Sequence, residues 1–145
     1  MKIVVDTNIV FSALVKSDSA IAEMIICSHK KYKFFSSEFL LEELNNHHEK
    51  LKKASKLNDE QIGVARYRLF KYINFLSLEL IPTVCWIKAE KLVFDIDPDD
   101  IAFVALSLSL NAYLWTGDKI LYDGLKAKGF KNIMNTRDII QYGLI

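Results

Sequence analysis

The segment from Pro98 to Leu110 is long enough to form a helix, and that helix would be apolar on nearly every side. A helix without a polar face has to be surrounded by protein, so this segment predicts a buried central helix. Pro98 fits the first turn of that helix, where a missing N–H does no harm. Three carboxylates stand at its beginning, on Asp97, Asp99 and Asp100. Carboxylates beside an apolar core must be paired, hydrogen-bonded or bound to a cation, or else become neutral.

Short runs of strand-forming residues alternate with helical patterns along the whole chain. Strands are predicted at 2–5, 33–36, 78–81, 112–115 and 132–134. The longer predicted helices run from Ser36 or Ser37 through Leu51, from Asn58 through Leu76, from 83 to 94 and from 118 to 128. This alternation predicts an α/β fold with a parallel sheet of about four to five strands and helices on both faces.

Length and composition are those of one globular domain spanning residues 1–145. The chain is 51% hydrophobic and 26% charged, which excludes a disordered or fibrous protein. No apolar run is long enough to cross a membrane, and the apolar part of the N-terminus is too short for a signal peptide. We therefore expect a cytoplasmic protein without a membrane partner. Cys27 and Cys85 lack the CxxC spacing of a zinc site.

Four acidic positions are expected at one edge of the sheet. Asp6 follows the first strand, Asp118 follows the fourth, Asp100 lies in the first turn of the central helix, and Glu42 or Glu43 follows the second strand. Because the carboxyl ends of parallel strands share one edge, these side chains can converge. Each aspartate alone could simply cap a helix, but together the acids would repel one another without a cation. Oxygen ligands without His or Cys suit Mg²⁺ or Mn²⁺.

A basic segment lies between Asn45 and Lys71, where seven basic residues stand against three acids although the net charge of the chain is only +1. Aromatic residues such as Tyr67 and Phe70 are interleaved with cations such as Arg66. Such a segment can hold a phosphodiester backbone or stack bases, and it can equally be a solvated helix face. It leaves an alternative function open, that of a non-cleaving RNA-binding or partner-docking protein.

Two other classes of protein also place acids at strand ends. A two-component receiver domain needs an acidic pair at the first strand, where this chain has Asp6 alone, followed by Thr7 and Asn8. A phosphatase that forms an aspartyl-phosphate needs a second Asp two residues after the first, where this chain has Asn8. The sequence meets neither pattern.

Four motifs, taken in order, resemble the PIN domain. Asp-Thr-Asn ends the first strand, and Glu-Glu-Leu closes a stretch from Ser37 to Leu44. Asp-Pro-Asp-Asp precedes the apolar helix, and Thr-Gly-Asp follows the next strand. The resemblance covers essentially the whole chain and implies a single PIN-like domain with a three-layer sandwich. PIN domains are metal-dependent nucleases, and the small ones include VapC-type toxins of toxin–antitoxin pairs.

The resemblance also implies roles for particular residues. The acidic quartet would be Asp6, Glu43, Asp100 and Asp118. Glu43 is chosen over Glu42 because the family's glutamate directly precedes a leucine, and Asp97 is a further candidate ligand. Asn8 and Thr116 would be polar supports. By the same resemblance, we expect single-stranded RNA as the substrate, an antitoxin protein as a partner, and a homodimer.

The mechanism expected of such a site is metal-assisted hydrolysis of a phosphodiester bond. Asp6, Asp100 and Asp118 would hold one or two Mg²⁺ or Mn²⁺ ions, and a water with lowered pKa would attack the phosphorus in line. Glu43 would orient that water or complete the shell of a metal. Lys119, in the turn after Asp118, is a candidate contact to the nucleic-acid backbone, and a solvated helix face explains it equally well.

Overall fold

A computed structural model describes residues 1–16 and 18–142 of the chain. Its strands are β1 (Lys2–Val5), β2 (Lys33–Ser37), β3 (Ile73–Leu76), β4 (Tyr113–Trp115) and β5 (Ile133–Met134). Its α-helices are α1 (Thr7–Val15), α2 (Ala20–Ser28), α3 (Glu38–Asn46), α4 (His48–Ser55), α5 (Asp59–Phe70), α6 (Thr83–Val93), α7 (Ile101–Leu110), α8 (Lys119–Ala127) and α9 (Thr136–Gln141). Short 3₁₀ turns lie at Leu78–Leu80 and Pro98–Asp100. Among these residues no helix combines the length and apolar character needed to cross a membrane.

The five strands form one parallel sheet in the order β3-β2-β1-β4-β5. β1 lies at the centre, where Val4 pairs with Phe35 on one side and with Leu114 on the other. The order of strands reverses between β1 and β4. Open α/β sheets bind ligands in the crevice outside the carboxyl ends of the strands at such a reversal. The predicted α/β class is confirmed, with five strands.

The helices form two groups, one on each side of the sheet. Helices α1 to α5 contact one another, whereas α6 contacts α7 and α8. Since crossover connections between parallel strands are right-handed, the two groups cover opposite faces. Within the second group, α7 packs against β1, β2 and β4, and the residues from Ala102 to Ser107 are all buried. The central helix predicted from its apolar sequence is therefore confirmed.

The predicted strand at 78–81 is wrong, since Leu78–Leu80 is a 3₁₀ turn and the third strand is Ile73–Leu76. Correspondingly, the helix predicted through Leu76 ends at Phe70. The apolar spacing of residues 62, 69, 73 and 76 fits a helix, but residues 73–76 pair along their whole length with β2. Pairing and packing at the edge of the sheet outweigh the local helical period.

The single helix predicted through Leu51 is in fact two helices, α3 and α4. They are separated at His47, whose φ of −105° and ψ of 18° are not helical. The four residues around the break, Asn45 to His48, are all weak helix formers. The break leaves Glu42 and Glu43 on the short helix α3, which contacts β2 and α1.

Candidate metal centre

Asp6 follows β1, caps α1, and is only 2% exposed. Its Oδ1 accepts a hydrogen bond from the backbone N–H of Ile9 at 2.9 Å, and its Oδ2 accepts one from the Thr116 hydroxyl. Burial raises the pKa of Asp6 to about 6; the bonds from Thr116 and Ile9 oppose the rise, and the charges of Asp118 and Glu43 add to it. Asp6 is thus a buried acid with both oxygens engaged and other carboxylates near it.

Thr116 joins the ends of β1 and β4. Its hydroxyl donates to Asp6 and accepts a hydrogen bond from the backbone N–H of Asp118 at 3.0 Å. Thr116 itself is 1% exposed, so water does not compete for these bonds. The structure therefore places this predicted support residue between two of the predicted acids, and one hydroxyl sets the distance between them.

Asp118 is half-buried and forms the N-cap of α8. Its Oδ1 accepts hydrogen bonds from the backbone N–H groups of Ile120 and Leu121 at 2.9 and 3.2 Å. Its Oδ2 has no hydrogen-bond partner in the described part of the chain. One oxygen of Asp118 therefore fixes the carboxylate to the helix, and the other is open to a cation.

The turn before α7 brings two further carboxylates to the same place. Asp97 accepts the backbone N–H of Asp99 at 3.1 Å, which orients its side chain. Three carboxylate oxygens, one each from Asp97, Asp100 and Asp118, lie within 4.8 Å of one another. We call these three residues the acidic cluster. Burial raises the pKa of Asp100 to about 8, and the charges of Asp97, Asp6 and Asp118 and a hydrogen bond with Asp97 raise it further. Like charges at this spacing repel one another unless a cation lies between them, and an oxygen-only ligand set fits Mg²⁺ or Mn²⁺.

Glu43 reaches the same edge of the sheet from α3. Its Oε1 accepts a hydrogen bond from the Thr7 hydroxyl at 2.6 Å, and it is half-buried, whereas Glu42 is exposed. Sequence reasoning missed Thr7 as a residue that positions the site. No separate signal marked it, because a threonine at the start of a helix has an ordinary structural role there.

The structure sets Asp6 and Glu43 beside the acidic cluster rather than within it. Asp97, which ranked below Asp6 as a ligand in the sequence analysis, belongs to the cluster. Both oxygens of Asp6 accept a hydrogen bond from the protein, and each keeps a second lone pair for a cation. Of the remaining predicted residues, Asn8 and Lys119 are exposed at the same edge of the sheet. Which of these side chains bind a metal remains a prediction.

Several cations of the basic segment between Asn45 and Lys71 contact other residues of the protein. The ammonium of Lys71 lies 4.4 Å from the ring centroid of Tyr67, and the guanidinium of Arg66 lies 5.4 Å from that of Phe70. Arg66 also donates a hydrogen bond to the side chain of Asn45 at 3.1 Å. These contacts favour a structural role for the interleaved aromatic residues.

Comparison with known proteins identifies the family and the fold. A family profile described as PIN domain matches residues 4–139. The structure of VapBC2 from Rickettsia felis bound to a DNA fragment from their promoter is similar, with a TM-score of 0.68, 19% identity, and coverage of 93% of this chain and 98% of that chain. A PilT N-terminus domain protein from the hyperthermophilic archaeon Sulfolobus solfataricus P2 has a TM-score of 0.51, 15% identity, and coverage of 98% and 92%. No curated protein matches the sequence. At such low identity the two structures show the fold alone, but the profile spans nearly all of the sequence: the chain belongs to the PIN domain family.

Proposed function

We propose that this protein is a Mg²⁺- or Mn²⁺-dependent endoribonuclease that cleaves single-stranded RNA. The observation that carries the proposal is the acidic cluster, in which three carboxylate oxygens lie within 4.8 Å of one another at the reversal point of the sheet. A cluster of acids in such a crevice is unfavourable without a cation, and the PIN domain family consists mainly of nucleases. Family membership supports the general class, and the choice of RNA follows from the resemblance described above.

In this proposal Asp97, Asp100 and Asp118 hold the cation. When bound, the ion supplies Lewis acidity that makes water a nucleophile near neutral pH and offsets the charge of the phosphate. Asp6 adds negative charge beside the cluster and, through Thr116, keeps Asp118 in place. Glu43 lies outside the cluster, so we assign it the orientation of the attacking water rather than a place among the ligands.

A protein partner is part of the proposal. The similar structure from Rickettsia felis is that of VapBC2 bound to a DNA fragment from their promoter, which supports a toxin–antitoxin setting. We propose that this chain is the toxin of such a pair, that an antitoxin protein controls it, and that it forms a homodimer.

The test of the proposal is cleavage of end-labelled single-stranded RNA and DNA by the purified protein, with Mn²⁺, Mg²⁺ or EDTA. We expect internal cuts in RNA with either metal, weaker cutting of DNA, and none in EDTA. Failure to cut any substrate with either metal, or cutting that survives EDTA, would contradict the proposal. Retention of RNA without cutting would instead favour the alternative of a non-cleaving RNA-binding protein.

The bond between Thr7 and Glu43 gives a further prediction. Thr7→Val keeps the shape of the side chain but removes the hydroxyl that holds the Glu43 carboxylate, so we expect the cleavage rate to fall by about 10-fold or more. Glu43→Gln should lower the rate at least as much, and the double variant should lose little beyond the larger single loss, because both changes disrupt one unit. Glu42→Gln is the matched control, since Glu42 is exposed. Wild-type rates in Thr7→Val would show that this bond does not serve the reaction.

A further inference from the structure

A cavity adjoins the acidic cluster where β4 and β5 end and α8 and α9 begin. Its volume is 490 Å³, within the range of about 300–1,000 Å³ that is usual for small-molecule sites. Asp118 belongs both to the acidic cluster and to the wall of this cavity. A molecule bound here would therefore lie next to Asp118, one of the three residues of the cluster. We call it the Arg137 cavity after one of the cations that line it.

Two of the residues that line the Arg137 cavity are cations without an ion-pair partner among the described residues. Lys119 and Arg137 line it, both are exposed, and neither makes an ion pair or a side-chain hydrogen bond with the described residues. By contrast, Lys52 and Lys128 lie in ion pairs with aspartates. Asp123 also lines the cavity and would repel an anion, as would Asp118 when no cation neutralises it. The two free cations offset these two acids, and a cation on Asp118 would leave the cavity net positive.

The wall that carries Arg137 is fixed to the elements that carry the acidic cluster. Asn135 and Asp138 cap α9 through reciprocal hydrogen bonds of 2.8 and 3.1 Å. The Tyr122 hydroxyl of α8 donates to Asp138 at 2.7 Å, and the indole N–H of Trp115 in β4 donates to the Thr136 hydroxyl at 3.2 Å. These bonds hold the first turn of α9 against β4 and α8, so the backbone of Arg137 keeps a fixed position relative to Asp118.

We propose that the Arg137 cavity binds the nucleotide next to the scissile phosphate of single-stranded RNA, and that Arg137 and Lys119 hold its phosphate. This inference rests on the proposed function and names the substrate contacts of the same site. A guanidinium donates two parallel hydrogen bonds to a phosphate and stays charged at every working pH, which makes Arg137 the main contact. Contacts of this kind position the strand without reading its bases, so they serve RNA of any sequence.

The test is binding of a short fluorescent single-stranded RNA, measured in Mg²⁺ over a range of salt concentrations. Asp100→Asn serves as the background, so that the RNA is not cut. Arg137→Gln should raise the Kd for RNA by about tenfold. The slope of log affinity against log salt should also become shallower by about 0.7, because each phosphate contact on a single strand contributes about that much to the slope. Lys119→Gln should have a smaller effect in the same direction. Arg137→Lys should keep the slope of the background protein, because it keeps the charge.

Lys131→Gln is the matched control, since Lys131 is an exposed cation outside the cavity walls. The thermal melting curve of each variant checks that the fold is intact. With Asp100 restored, Arg137→Gln should raise KM for cleavage with little change in kcat.

The outcomes separate this inference from the proposed function. If the wild type cuts RNA while Arg137→Gln leaves Kd and the salt slope unchanged, the cavity is not the substrate site and the nuclease proposal stands. If the wild type does not cut but Arg137→Gln weakens RNA binding and flattens the salt slope, the cavity binds RNA and the nuclease proposal fails. If the protein with Asp100 intact neither cuts nor retains RNA, both are overturned.

Discussion

Asp118→Asn is expected to lower the rate of metal-dependent RNA cleavage sharply. Removing a residue that only hydrogen-bonds to a metal ligand costs roughly 10–100-fold, and the loss here should be larger. The change replaces one oxygen of a ligand in the acidic cluster and removes its charge. It leaves the fold intact, because asparagine caps a helix about as well as aspartate and its side-chain oxygen can still accept from Ile120 and Leu121. The measurement is the initial rate of cleavage with Mn²⁺, together with calorimetric titration of the metal.

Asp99→Asn is the control for this loss, because Asp99 lies in the same acidic turn but is exposed and outside the acidic cluster. It should cleave like the wild type. If Asp118→Asn cleaved at the wild-type rate, or Asp99→Asn lost as much activity, the assignment of the cluster would be incorrect.

Without metal, the protein is expected to lose stability as pH rises from 5 to 9. The pKa values of Asp6 and Asp100 are raised in the folded protein to about 6 and about 8, above the ordinary value of 3.8. The folded state therefore binds more protons than the unfolded state, and stability falls with rising pH. The contribution of the two groups is complete below about pH 4 and is lost as pH passes first through 6 and then through 8. We expect the free energy of unfolding to fall by roughly 2–4 kcal/mol. This is less than the two pKa shifts alone would give, because solvent screens the charge of the partly exposed Asp100.

Magnesium should reverse this trend. A cation competes with the protons of the acidic cluster, so its stabilising effect should be larger at pH 8 than at pH 5. At 100 times its Kd the ion would add about 2.7 kcal/mol to the free energy of unfolding. Urea unfolding at several pH values, with EDTA or with Mg²⁺, measures both effects. Asp100→Asn should flatten the pH profile and reduce the response to Mg²⁺. An equal gain from Mg²⁺ at both pH values would contradict metal binding by these acids.

The sequence predicted well those parts of the fold that depend on local pattern. The residues of α7 are apolar in every direction, so their burial followed from composition alone. The helix predicted from 118 to 128 is present as α8, and Gly129 follows it with a φ of +81°. β3 was misplaced because Ile73 and Leu76 satisfy a helical spacing, and only the distant partner strand β2 decides between helix and strand.

The candidate site was predictable to the level of which strand ends carry acids. It was not predictable which carboxylate oxygens lie close together. Asp97 was a secondary candidate and lies within the acidic cluster, whereas Asp6 lies beside it, and Ile9 and Thr116 donate to its two oxygens. Such placements depend on contacts between residues far apart in sequence, and a spacing rule carries no information about them.

The contact between Thr116 and Asp6 joins residues 110 positions apart. It also depends on β4, which occupies the place beside the first strand of the chain. During synthesis on a ribosome, β1, β2 and β3 are made before β4, Thr116 and Asp118. A growing chain therefore lacks Asp118, and the hydroxyl that orients it, until most of the protein has been made.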